Sequence, residues 1–258
     1  MDFAELDLGR LFLAFMRVSG FVFAAPVLGS SVIPRLIKVW YSLLIALIMV
    51  PLVGATADIP STDTAGFFLL AGREVLLGIL MGMVCSMFVH GVEFGGHLIG
   101  LQMGFAASTL FDPMTRNQAS VVGRFQGMLA LVLFLIINGH HAMLQSFALS
   151  YKVVPPTLAA LAPGAARQLI GITGTIFTIA IKTSIPVLIA MLLAQLGVGL
   201  LAKTMPQMNV FVIGFPVRIA LGLTIIGVTM PYFAYVLGKS ISQTDSGLNS
   251  LLRVLAGG

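Results

Sequence analysis

The residues best suited to chemistry in this chain are a few histidines and carboxylates set in apolar sequence. His90, Glu93 and His97 are separated by three, four and seven positions, which brings their side chains to one face of a helix. Two imidazoles and a carboxylate so placed suit a divalent metal. Gly91, Gly95 and Gly96 weaken that helix and no further ligand is evident, so polar residues at a membrane interface are the better reading. His140 and His141 follow Asn138 and Gly139 at the end of an apolar run. That composition fits a helix C-terminus capped by glycine, with cations near the negative end of the dipole, and capping outranks catalysis. No nucleophile elbow, Walker-type phosphate loop or Rossmann glycine fingerprint occurs. Cys85 is the single cysteine, so no internal disulfide or Cys-based metal cluster is available, and it reads as a packing residue. No enzymatic activity, cofactor or metal is expected.

The elements that carry these residues belong to a membrane protein. Of 258 residues, 58% are apolar and 9% charged, against about 45 to 50% and about 25% in soluble domains. So few charges cannot cover a soluble surface. The net charge of +5 comes from bases scattered singly, which excludes a nucleic-acid patch. Asp2, Glu5 and Asp7 outweigh Arg10 at the N-terminus, the wrong sign for a cleaved signal peptide, so the first apolar segment is expected to stay. The apolar bias is continuous, and residues 1–258 read as one polytopic membrane domain.

Crossing the hydrocarbon core as a helix takes about 20 apolar residues. Six segments approach or exceed that length: Leu11 to Leu28, Val39 to Ala57, Gly66 to Val89, Val121 to Ile137, Leu169 to Ala202 and Val210 to Leu237. Five of them contain charge, namely Arg17, the adjacent Arg73 and Glu74, Arg124, Lys182 and Arg218. A basic side chain at the bilayer centre costs about 2.5 to 3.5 kcal/mol on insertion scales, so these residues snorkel from segment ends or pack against protein and water. Loop bases divide almost evenly between the two sides, Arg35, Lys38, Arg116 and Lys203 against Arg10, Lys152, Arg167, Lys239 and Arg253, and set no orientation.

Small residues and prolines shape the segments. Gly78 and Gly82, Gly91 and Gly95, Gly96, Gly100 and Gly104, and Gly123 and Gly127 repeat at four-residue spacing, a pattern that lets helix backbones approach closely in lipid. Pro26, Pro51, Pro186, Pro216 and Pro231 are expected to interrupt or end helices, and helices broken at membrane depth must be shielded or line a watery cavity. Two polar interruptions stand out. LFDPMTRNQAS, Leu110 to Ser120, is an irregular segment in which Pro113 biases Asp112 away from helix, making a turn that projects Phe111 and Met114. It reads as a surface loop at a membrane face or as a re-entrant, pore-blocking loop. MPQMNVFVIGFPVRI, Met205 to Ile219, places the amides of Gln207 and Asn209 in an apolar run broken by Pro206, Gly214 and Pro216. Amides in such a setting find partners across an interface.

The run PQMNVFVIGFP, Pro206 to Pro216, resembles the signature of the FliR family of flagellar type III export-gate subunits, to which a virulence-secretion counterpart is similar. Asp112 with Pro113, the run FLIINGH from Phe134 to His140, and Gln102 with Gly104 follow the same family order. The resemblance implies an all-α membrane protein whose six or so hydrophobic segments form bent helical hairpins in a hetero-oligomeric, cone-shaped gate. It implies assembly with FliP-like and FliQ-like subunits and an FlhB-like subunit in the bacterial inner membrane, at the flagellar basal body, with unfolded secreted polypeptides as cargo. It implies too that the loop carrying Phe111, Asp112, Pro113, Met114 and Thr115 is the channel plug. Pro206, Gln207, Asn209, Gly214, Phe215 and Pro216 would then serve subunit assembly and helix bends, and Gly96, Gly100 and Gly104 close helix packing. Two other classes compete with a gate subunit. A secondary transporter would place Arg17, Arg124, Lys182 or Glu93 near a midplane site, and an intramembrane enzyme would hold metal on His90, Glu93 and His97.

Overall fold

In the computed structural model of the protein, the described residues are 8–52, 64–105, 120–156, 163–205 and 210–255. Among them the regular structure is entirely helical: α1 (Leu8–Ala24), α2 (Arg35–Met49) continued by a 3-10 turn (Val50–Leu52), α3 (Thr64–Met103), α4 (Val121–Ile136), α5 (Gly139–Val153), α6 (Pro163–Thr204), α7 (Val210–Val228) and α8 (Met230–Leu255). Among the described residues two helices are by themselves long and apolar enough to cross a membrane, Ala65–Met103 and Arg167–Thr204, and the number rises to as many as four if each of two bent helix pairs makes one span. That is fewer than the six expected segments. The first two correspond to helices of only 17 and 15 residues, about 26 and 23 Å of rise.

Several boundaries differ from expectation for identifiable reasons. α3 runs as one helix through Gly91, Gly95 and Gly96, because those glycines are buried packing points and tertiary contact overrides a weak propensity. Pro186 and Pro216 lie inside continuous helices and interrupt neither. Pro231, by contrast, breaks the run as expected: α7 ends at Val228, and Pro231 sits in the first turn of α8, where its missing N–H is not needed. The apolar run from Val210 to Leu237 divides at Thr229, where α7 and α8 meet at a bend of 58°. Asn138, rather than Gly139, takes the left-handed conformation after α4, with φ of 58°. Asn is among the few non-glycine residues that enter that region readily. His140 and His141 therefore open α5 instead of capping α4, their rings 4.2 Å apart.

The chain forms two compact units, the first of residues 1–87, 138–173 and 242–258, the second of residues 88–137 and 174–241. In the first unit α1 and the start of α3 run side by side in the same direction, backbone against backbone. A Cβ on Gly20 would strike Val75 O, one on Gly78 would strike Arg17 O and Phe21 N, and one on Gly82 would come within 2.7 Å of Phe21 O. Glycine is the residue that permits this approach, and in lipid such close packing is a main source of helix association. α5 crosses back along α1, with Phe21 stacked on Phe147 at 4.3 Å and Tyr151 Oη donating to Ala14 O at 3.3 Å. Lys38, buried on α2, folds back to donate to Gly29 O at 2.8 Å.

In the second unit the later part of α3 is clasped by α4 and α6. A Cβ on Gly96 would lie 2.7 Å from Gly123 Cα, and one on Gly95 would lie 2.8 Å from Ala180 O. Phe94 meets Phe177 edge-on at 5.7 Å. The apolar core of this unit is Ile99, Met103, Val122, Val187, Met191 and Ile226.

Candidate functional site

The first unit holds a cluster of charge that the surrounding apolar sequence must accommodate. Arg17 on α1 and Glu74 on α3 are both fully buried. Their pairing is bidentate: Arg17 Nε donates to Glu74 Oε2 at 2.5 Å and Nη2 to Oε1 at 3.0 Å. The remaining donors reach α5 and its end, Nη1 to Ser150 Oγ at 3.3 Å and Nη2 to Val154 O at 2.9 Å. The guanidinium also lies 4.4 Å from the centroid of the Tyr151 ring. Arginine suits this arrangement because its planar fork matches a carboxylate with two hydrogen bonds while its face stacks on an aromatic ring. The contact depends on the glycine crossing, since Arg17 precedes Gly20 by one turn and Glu74 precedes Gly78 by one turn. The network ties three helices together and leaves neither charge exposed.

The other charges expected at membrane depth behave differently. Arg73, Arg124 and Lys182 are exposed on the surface of their helices, where the long stems can carry the charge outward. Arg218 Nε is buried and meets no acceptor among the described residues. His90 Nδ1 and Glu93 Oε2 stand 3.4 Å apart on an exposed face. No group of three or more metal-ligating side chains is assembled among the described residues, so His97 does not complete a site with them.

The loop from Leu110 to Ser120 lies outside the described residues up to Gln118 and Ala119, and so do Phe111, Asp112, Pro113, Met114 and Thr115; its two anchors are described. At the N-terminal anchor Gly104 has φ of 89°, Phe105 N donates to Gly100 O and Gly104 N donates to Leu101 O, each at 3.1 Å. This is a Schellman C-cap, and glycine is required at its left-handed position. At the other anchor Ser120 caps α4 by accepting from Gly123 N at 3.1 Å, and donates to Gly96 O at 3.4 Å. A Cβ on Gly100 would fall 2.5 Å from Ser120 Oγ. Residues 106–119 thus leave and re-enter at neighbouring points on the α3–α4 pair.

In the second signature Pro206, Gln207 and Asn209 also lie outside the described residues, whereas Gly214, Phe215 and Pro216 are in α7. The Phe215 ring covers Gly104, where a Cβ would come within 2.9 Å of it, and Gly214 faces Val198 on α6. Phe215 of the second segment therefore packs on Gly104, the C-cap of α3 that precedes the loop. Sequence reasoning missed the partnership of Arg17 with Glu74, although both were visible as charges in apolar segments. The available signal was that Glu74 is the only acid in the six apolar segments.

Long apolar helices, glycine-mediated backbone crossings and a buried ion pair define a polytopic helical membrane protein. Residues 8–244 match the family described as bacterial export proteins, family 1. Among curated relatives, the flagellar biosynthetic protein FliR of Pectobacterium carotovorum is 31% identical over 222 residues, 86% of this chain and 84% of the relative. The FliR of Bacillus subtilis is 29% identical over 254 residues, 97% of each chain, and that of Escherichia coli is 30% identical over 227 residues, 88% of this chain and 86% of the relative. The chain belongs to this export family, the FliR family.

Proposed function

We propose that this protein is a structural and gating subunit of the flagellar type III export channel, resident in the bacterial inner membrane, and that it works in complex with FliP-like, FliQ-like and FlhB-like subunits. The observation that carries the assembly is the length and exposure of α6. Its apolar stretch Arg167–Thr204 has 38 residues and only 11% of its most apolar window is buried within the chain. At 1.5 Å per residue it is about 57 Å long, nearly twice the roughly 30 Å hydrocarbon core. Its exposed apolar residues run from Ile170 through Phe177, Ile185 and Leu193 to Leu200, about 45 Å along the axis, so a helix near the usual tilt of about 20° leaves part of that surface beyond lipid. Other protein subunits are the natural cover for apolar surface on that scale.

The loop around Phe111, Asp112, Pro113, Met114 and Thr115 is the proposed plug. Its closely set anchors make it a tethered tip, and bulky apolar side chains on such a tip exclude water and ions yet yield to an unfolded chain. Deleting Leu110 to Thr115 should raise ion conductance through the reconstituted complex, and unchanged conductance would remove the plug role. Pro206, Gln207 and Asn209, with Gly214, Phe215 and Pro216, are proposed to hold subunits together through inter-helix amide hydrogen bonds. The double change Gln207→Ala with Asn209→Ala should lower the yield of co-purified complex several-fold, by removing contacts of about 0.6 to 2 kcal/mol each; full yield would argue against that role. No catalytic step is assigned to any residue.

A further inference from the structure

Gln126 on α4 is 4% exposed, and its Oε1 receives no hydrogen bond among the described residues. It lines a small cavity with Leu129, Thr183, Ile226, Thr229, Met230 and Phe233, all within the second unit. The two threonines are already committed as donors. Thr183 Oγ1 donates within α6, to Ile179 O at 2.9 Å or Ala180 O at 3.1 Å, and Thr229 Oγ1 donates to Ile225 O at 2.7 Å. Each hydroxyl has one hydrogen and two lone pairs, so both keep acceptor capacity, as does Gln126 Oε1. Thr229 is also the residue at which α7 gives way to α8. Three side chains with spare acceptor capacity border one small space, which suits a guest that brings hydrogens or positive charge.

From this geometry we infer that Gln126, Thr183 and Thr229 bind a single ordered water molecule, which bridges α4, α6 and the break between α7 and α8. The space is about that of one water, and two to four polar partners are what a buried water requires. A monovalent cation would use the same oxygens. It is disfavoured because none of the cavity's lining residues carries a carboxylate, and an uncompensated charge at membrane depth is expensive. Pro231 accounts for the break itself, by removing a backbone donor there, and the water adds a polar bridge from that break to α4 and α6.

The test is a high-resolution structure of the native export complex purified once in sodium buffer and once with choline replacing sodium and potassium. A solvent peak at about 2.7 to 3.2 Å from Gln126 Oε1 and a threonine oxygen, equal in both buffers, is expected. Absence of the peak, or its loss in choline, would overturn the assignment, the latter in favour of a cation. A second readout is the unfolding midpoint of Gln126→Met in the complex, a change of similar shape without the acceptor. If water satisfies the amide, the midpoint falls by about 2 °C or more; if the amide is an unmet polar group, its removal leaves the midpoint unchanged or raises it.

Discussion

Arg17→Ala is expected to destabilise the chain within its native complex by about 3 to 5 kcal/mol, and Glu74→Ala by a similar amount. Both charges are fully buried, and their mutual hydrogen bonds are what make either one tolerable there. Removing one leaves the other as an unpaired charge in an apolar interior. The arginine variant also strips Ser150 Oγ and Val154 O of a donor, loosening the end of α5 as well as the α1–α3 contact. Replacing both charges, Arg17→Met with Glu74→Leu, should be milder than either single change. It leaves only the α5 acceptors unmet, and apolar replacements of buried ion pairs are often neutral. Thermal unfolding of the detergent-solubilised complex compares the three variants. A double variant worse than both singles would show that the network contributes more than mutual neutralisation.

Gly78→Leu should cost about 3 kcal/mol or more, the upper end for overpacked sites. The first atom of the new side chain falls on the backbone of α1 at Arg17 O and Phe21 N, where no rotamer change can relieve it. Moving α1 away would also pull Arg17 from Glu74, so the steric and electrostatic losses reinforce each other. Gly72 on the same helix supplies the control, because nothing lies within 4 Å of the position its Cβ would occupy. Gly72→Leu should be neutral or slightly stabilising, as glycine is about 1 kcal/mol poorer than alanine inside a helix and leucine is close to alanine. Equal effects at the two sites, measured by complex yield and unfolding midpoint, would contradict the backbone crossing.

Much of this architecture was legible because lipid imposes few solutions. The apolar segments located α1 and α4 to within about four residues and α6 to within about six, whereas α2 starts four residues before its expected segment and ends eight residues before Ala57; the four-residue glycine spacing marked the face on which α3 packs. α5 was not legible: GHHAMLQSFALSYKV mixes histidines, serines and a lysine with its apolar positions, and it is helical because Met143, Phe147 and Tyr151 bury against neighbours. The extension of α3 to Met103 was hidden for a related reason. Glycines that lower helix propensity in isolation are here the contacts that hold the helix in place.

The charges were visible but their partners were not, since Arg17 and Glu74 lie 57 positions apart and only the packing of α1 on α3 joins them. The position of Phe215 over Gly104 is likewise a long-range contact that no local pattern encodes. What the sequence did carry was the signature itself, and with it the family.

The central claim is that this chain is one part of a hetero-oligomeric gate. It is tested most directly by purifying the tagged protein expressed alone and together with FliP-like and FliQ-like subunits, then imaging the particles. A single uniform complex containing all three chains, with the protein aggregated or degraded when expressed alone, is the predicted result. A stable monomer or homo-oligomer that ignores those subunits would contradict the account and return the chain to the class of small-solute transporters.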